Sequence, residues 1–502
     1  MKRTIKKISA AICIIALVLQ TGVFSCLADS TPSYDSETGS PSQTSVHTAG
    51  AAASLLNDTL ENTDRKTIYT PGDYETNEIA VMYKDGDIKS IKCSDKNELT
   101  EKLSELEADP DVDTYQPNFS YSSDALTSSE ASSVTGPVYF GSASERLRIK
   151  NRIKERASVN ISASHPVFPS DAYYSYQWGL HNDGTFRGAM SRVRAVSDVD
   201  VNAQEAWSKY KAKRDVTIAV VDTGVDYTNS QISGNMWVNE DEIPGNGIDD
   251  DGNGYIDDYR GWNFYDNNNV MYSGYDDDHG THCAGTMVAA SDRIGITGLA
   301  AYTNIKVMNV KALGGIDGLG TTLSIIKAIK YAEENGASIC NLSLGTEVND
   351  SLLYRTMRDS GMLFVVAAGN SESLNQNGWN IDVRPVYPAA YTLDNIIAVA
   401  NVTASGNIHY TSDYGAASVD IAAPGTDILG LAAAGRMEYM TGTSMAAPFV
   451  TAGAAMVYTG SYGLSLAETR YIIINSAKKI TGLESYVSSG GILDVSAALD
   501  WK

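Results

Sequence analysis

Cysteine is scarce in this 502-residue chain: of five, Cys13 and Cys26 fall in an apolar leader, Cys93 in an N-terminal unit, and only Cys283 and Cys340 beyond it. Thiols so few and so placed exclude a disulfide-stapled scaffold. Basic residues are outnumbered as well, 38 Lys and Arg against 61 Asp and Glu, for a formal net charge of −23. Such a surface repels nucleic acid and anionic membranes, so neither is an expected partner, whereas a cation such as calcium is. Beyond the leader no apolar run is long enough to span a bilayer. Met445 to Tyr458 is interrupted by Pro448, Thr451 and Gly453 and reads as a core helix. With 43% hydrophobic residues there is ample material for a large core.

What is present is ordered along the chain. Lys2, Arg3, Lys6 and Lys7 precede an apolar run from Ile8 to Phe24, and Cys26-Leu27-Ala28 offers small residues for cleavage, so residues 1–28 read as a secretory signal and the protein as secreted. Val23-Phe24-Ser25-Cys26 loosely resembles a lipobox, which makes lipid anchoring at Cys26 the alternative. Residues 29–70 are rich in Ser, Thr, Gly and Ala without periodicity and read as a flexible lead. Residues 71–121 combine a strand-like Glu78 to Lys84, a helix with Leu99, Leu103 and Leu106 on one side, and a strand-like Asp111 to Tyr115, a small α+β unit. Residues 122–170 form a linker with a basic run, Arg146, Arg148, Lys150, Arg152, Lys154 and Arg156. Residues 171–502 alternate strands and helices: Ile305 to Val310, a helix from Thr322 to Asn335 stopped by Gly336, then Ser338 to Leu344. This alternation predicts an α/β fold, a parallel sheet flanked by helices.

Three segments carry chemistry. Gly442-Thr443-Ser444-Met445-Ala446-Ala447-Pro448 puts a serine at the mouth of an apolar helix, where unpaired N–H groups favour an oxyanion. Val220-Val221-Asp222-Thr223-Gly224 ends a β-branched run in a carboxylate, and Asp278-His279-Gly280-Thr281-His282 supplies an imidazole. A serine hydroxyl needs a histidine to take its proton and a carboxylate to fix the imidazole tautomer. Alone, each segment reads as a turn or a helix cap. Together, in the order Asp, His, Ser, they resemble the subtilisin-like serine proteases over roughly Tyr173 to Leu499.

The resemblance implies a serine endopeptidase acting through an acyl-enzyme on Asp222, His279 and Ser444. Asn370, at the end of Leu363-Phe364-Val365-Val366-Ala367-Ala368-Gly369-Asn370, would donate to the oxyanion beside the Ser444 backbone N–H. It further implies that Gly318, Leu319 and Gly320 on one side, and Ser343, Leu344 and Gly345 on the other, pair with an extended protein or peptide substrate. Val386, before Tyr387-Pro388, would then lie near the primary pocket. The unit at 71–121 looks like the family's inhibitory prodomain, an intramolecular inhibitor. A catalytically silent peptide-binding or surface protein on the same fold is the competing class, but it would have no need of all four polar residues. His282 lacks the spacing and glutamate of a zinc motif and is assigned a structural hydrogen bond. Cys283 is read as a packed thiol whose proximity to His279 predicts sensitivity to thiol reagents.

Between Asp222 and His279, Asp249, Asp251, Asn253, the Tyr255 carbonyl and Asp257 recur at alternate positions around Gly254, oxygen ligands suited to a structural calcium ion. Arg260 stands where a helical EF-hand has its bidentate glutamate, so the loop is not an EF-hand. A second site at the Ser291 to Ile296 loop would rest on Asp292.

Overall fold

The computed structural model describes residues 77–123, 168–188, 193–371, 376–461 and 463–501. The expected signal segment, flexible lead and basic run lie outside the described residues.

In the N-terminal unit, β1 (Glu78–Tyr83) pairs antiparallel with both β2 (Ile88–Lys92) and β3 (Val112–Pro117). Helix α1 (Lys96–Ala108) starts where the Asp95 carboxylate accepts the amides of Asn97 and Glu98. It buries Leu99 and Leu106 as their spacing requires. Strand β2 is an addition to the expected strand, helix and strand. Its sequence, Ile-Lys-Ser-Ile-Lys, is mostly solvated and carries little apolar signal. A further strand, β4 (Ser120–Ser123), runs past the boundary expected at residue 121.

The larger part is built on β5 (Thr217–Asp222), β6 (Lys306–Lys311), β9 (Ile339–Leu342), β11 (Leu363–Ala367), β12 (Ile396–Val402), β13 (Ile421–Pro424), β16 (Lys478–Lys479) and β17 (Gly491–Ile492). Their order across the sheet is β16-β17-β13-β12-β11-β9-β5-β6, parallel throughout except for the β16–β17 edge. The central strands are continuous apolar runs because both of their faces are covered. The helices are α2 (Ala203–Lys209), α3 (Asp278–Val288), α4 (Thr322–Glu334), α5 (Ser351–Asp359), α6 (Thr443–Gly460), α7 (Leu466–Asn475) and α8 (Val495–Leu499). Helices α3 and α6 pack on one another, α3 against β5 and α6 against β9, β11, β12 and β13, while α4 rests on β5 and β6 beside α5. The short strands β7 (Leu313–Gly314), β8 (Leu319–Thr321) and β10 (Leu344–Gly345) lie outside this sheet, as does the hairpin β14 (Ile428–Ala432) with β15 (Arg436–Met440). Among the described residues no helix is long and apolar enough to cross a membrane.

Two local features fix the catalytic end of this sheet. A Cβ on Gly280 would lie 2.2 Å from the Gly224 carbonyl oxygen, so only glycine lets α3 settle onto the turn after β5. Behind that turn the buried Lys311 ammonium donates to the Thr223 carbonyl and forms an ion pair with the buried Asp277 at 2.5 Å, tying β6, the turn and the start of α3 together. Removing either partner would strand a charge in the interior.

Candidate active site

Asp222 closes β5 and His279 opens α3, and the His279 Nδ1 to Asp222 Oδ1 distance is 2.7 Å with both residues buried. The Thr223 amide donates to the same carboxylate oxygen at 2.7 Å and holds the carboxylate in place. A carboxylate only accepts, so Nδ1 carries the proton and Nε2 keeps its lone pair. Nε2 is buried and has no hydrogen-bond partner among the described residues.

Ser444 stands in the first turn of α6. Four residues on, Pro448 has no N–H, so the Ser444 carbonyl loses its helical partner. The Ser343 hydroxyl replaces it at 3.1 Å and the Cys283 thiol at 3.5 Å. Ser343 is in turn held by Asn341 at 2.9 Å, and Asn341 by Thr451 of α6 at 2.8 Å. Cys283 lies one helical turn after His279, so this contact ties the first turn of α6 to the side of α3 that carries the imidazole. In this form the Ser444 hydroxyl donates to the Ser343 carbonyl at 3.3 Å instead of to His279.

Asn370 follows β11, and its carboxamide spans the start of α6: Nδ2 donates to the Thr443 hydroxyl at 3.0 Å and Oδ1 accepts the Thr443 amide at 3.1 Å. Next to it Gly369 has φ +105, and an added Cβ would strike the Asp413 carboxylate at 2.5 Å and meet Val386 at 3.2 Å. Burial pushes the Asp413 carboxyl up to about 7.

His282 Nε2 meets the Ile428 carbonyl at 2.9 Å, and burial lowers its pKa to about 4, which keeps the ring neutral. Cys283 is wholly buried, and burial raises its thiol well above the ordinary range. The thiolate is the reactive form, so both burial and this shift act against the expected sensitivity to thiol reagents in the folded protein.

The expected substrate strands face one another across a third. Strand β4 of the N-terminal unit is antiparallel to both β8 and β10: Tyr121 lies opposite Gly320, Ser122 opposite Leu319 and Gly345, and Ser123 opposite Leu344. The Ser123 amide also donates to the Gly318 carbonyl at 3.1 Å. The same unit caps two helices. The Asn118 side chain and Phe119 carbonyl accept the Leu323 and Thr322 amides of α4, and Gln116 Oε1 accepts the Leu352 amide of α5.

The acidic loop departs from its expected ligand set. Asp249 and Asp251 converge, but their third partner is Glu242, with ligand atoms of all three within 4.8 Å. Glu242 is 3% exposed and its Oε2 has no hydrogen-bond partner among the described residues. Asp257 is outside the cluster: its two oxygens accept the Asn246 and Gly247 amides at 2.9 Å each. Asn253 bridges Asp251 and Asp258 through its amide group, and its Oδ1 accepts the Tyr255 amide. Glu242 escaped the sequence reading because it precedes the loop. At the other loop, Asp292 accepts the Ile294 amide at 2.8 Å, while the buried Asp171 takes the Asp292 and Arg293 amides and the Ser291 and Thr297 hydroxyls.

A sequence profile of the subtilase family matches residues 213–490. Among similar proteins, a thermophilic serine proteinase of Bacillus sp. (strain AK1) is 33% identical over 353 residues, covering 69% of this chain and 73% of the relative. Thermitase of Thermoactinomyces vulgaris is 32% identical over 296 residues, covering 58% of this chain and 91% of the relative. Among solved structures, fervidolysin from Fervidobacterium pennivorans, a keratinolytic enzyme related to subtilisin, superimposes with a TM-score of 0.60 at 20% identity. That match covers 86% of this chain and 62% of fervidolysin, and attests the fold.

Proposed function

Because this chain belongs to the subtilase family of serine endopeptidases, we propose that it is secreted and cleaves peptide bonds through an acyl-enzyme on Ser444, under the control of its own N-terminal unit. The observation that carries the reading is the buried Asp222–His279 pair, 2.7 Å apart, with Nε2 left as a base. Ser444 Oγ attacks the substrate carbonyl carbon as its proton passes to His279 Nε2, and Asp222 stabilises the imidazolium. The carbonyl oxygen, now an anion, is met by the Asn370 side-chain amide and the Ser444 backbone N–H. Collapse expels the amine, which takes the proton from Nε2 and leaves an ester on Ser444. Water, deprotonated by the same nitrogen, then releases the acid. Labelling by a serine-directed phosphonate, together with hydrolysis of a mixed peptide library by the processed protein, tests this. A protein that folds and binds peptides but neither labels nor cleaves them would be the silent alternative.

Strand β4 supports the second half of the proposal, since an inhibitor that fills the substrate's place must leave before catalysis. The 71–121 unit, extended to Ser123, is expected to inhibit the processed enzyme in trans at about micromolar concentration or below. Gln116→Ala should weaken this at least about tenfold by removing both the cap on α5 and a bond to Asp350. If a substrate strand continues from Ser123 in this register, the first cut is expected after Asp124, and N-terminal sequencing of the released enzyme should begin at Ala125. Absence of inhibition in trans would leave the unit without this role.

Calcium fits the cluster of Glu242, Asp249 and Asp251. The ion would neutralise carboxylates that otherwise repel one another and would pin the insertion between Asp222 and His279. Chelation is therefore expected to lower the thermal midpoint by roughly 5 °C, the size of shift that loss of a saturating ligand produces. Asp251→Ala and Glu242→Gln should each abolish most of this response, as read by calorimetry with calcium and with chelator. Equal midpoints in the unmutated protein would exclude a stabilising ion here. A response persisting in both variants would move it to the Asp292 loop.

A further inference from the structure

We propose that Asp350 makes the pocket filled by Tyr121 a subsite that reads a phenol hydroxyl, so that preferred substrates carry tyrosine three residues before the residue whose carbonyl is attacked. This rests on the reading that β4 stands in the substrate's place.

Tyr121 belongs to the inserted strand, not to the α+β body of the N-terminal unit. Its side chain is 1% exposed, and its hydroxyl donates to Asp350 Oδ2 at 2.7 Å. Asp350 is itself wholly buried and caps α5 through the Leu353 amide at 2.9 Å. Its other partners are the Thr322 hydroxyl at 2.6 Å and the Gln116 side-chain amide at 2.7 Å. The Tyr391 hydroxyl donates to the Asp350 carbonyl at 2.7 Å, and the Tyr391 ring packs against Tyr354 and Tyr387, which places aromatic groups beside the carboxylate.

When the N-terminal unit leaves, Asp350 keeps Thr322 and Leu353 but loses both Gln116 and Tyr121. A substrate strand in the same register returns only the phenol. Phenylalanine would fill the pocket yet leave Asp350 Oδ2, which now accepts from both Tyr121 and Thr322, with the Thr322 hydroxyl alone, a loss that a site built to bind a hydroxyl penalises. The spacing follows from the pairing of Ser122 with Gly345 and Ser123 with Leu344. The next substrate residue falls opposite Ser343, whose carbonyl accepts the Ser444 hydroxyl, so that residue presents its carbonyl to the nucleophile.

The test uses fluorogenic peptides that differ only in Tyr or Phe at this position, hydrolysed by the processed enzyme. The Tyr peptide should be favoured in kcat/KM by about tenfold or more. In Asp350→Ala the ratio should fall to about one, and because both peptides are read on the same variant, any loss of stability cancels. Equal kcat/KM for the two peptides in the unmutated enzyme overturns the subsite while leaving the protease intact. A preference that survives in Asp350→Ala overturns the role of the carboxylate. Failure to cleave either peptide, together with no phosphonate label on Ser444, overturns the reading beneath it.

Discussion

Ser444→Ala is expected to lower peptide hydrolysis by about five orders of magnitude, to abolish phosphonate labelling and to leave the precursor uncut. In the proposed mechanism the hydroxyl is the nucleophile, and without it His279 has no proton to remove. The fold should hardly notice. The hydroxyl makes one bond of 3.3 Å, to the Ser343 carbonyl, whereas the contacts that seat this turn of α6 run through the Ser444 backbone carbonyl and remain. The thermal midpoint should therefore move by no more than about 2 °C. Turnover unchanged in the purified variant would remove Ser444 from the mechanism. A variant that is both inactive and unfolded would contradict the division of labour between hydroxyl and carbonyl. His279→Ala gives the complementary reading, because it spares the serine yet removes the base.

Much of this site was legible because its chemistry sits at the ends of strongly patterned elements. The run before Asp222 is apolar because both faces of β5 are buried, and the stretch after Ser444 is apolar because α6 is enclosed by strands and helices. Where both faces are buried, sequence pattern and structure coincide. The parts not read in advance are those in which a polar side chain acts at long range. Glu242 joins Asp249 and Asp251 from before the loop, Thr451 of α6 reaches Asn341 on β9, and Lys311 finds Asp277 across the turn after β5. No spacing rule links such residues. Pro448 is the partial exception, since a proline six residues into a helix announces a carbonyl in need of another donor. Strand β2 was missed for the opposite reason: it is paired through its backbone, Lys89, Ser90 and Lys92 face water, and only the partly buried Ile88 and Ile91 pack on the core, at a spacing that shows no apolar alternation.

Asn370→Ala is expected to lower kcat by about 10²- to 10³-fold while KM changes by less than about threefold. A donor aimed at the developing oxyanion acts on the transition state and not on the bound ground state, so its loss appears in kcat. The carboxamide also has a structural task, because Oδ1 accepts the Thr443 amide at 3.1 Å at the start of α6 and Nδ2 donates to the Thr443 hydroxyl. Ala removes both functions at once, at a cost of about 1 kcal/mol in stability for the lost cap. Asn370→Asp separates them. It is nearly isosteric and keeps an acceptor for the Thr443 amide, so the midpoint should stay close to that of the unmutated enzyme. It brings no N–H, however, and places a negative charge where another is about to form, so its kcat should fall at least as far as that of the Ala variant. If Asn370→Asp retained full kcat, or if Asn370→Ala raised KM alone, the amide would be a helix cap and the oxyanion would depend on the Ser444 N–H and the partial positive charge at the start of α6.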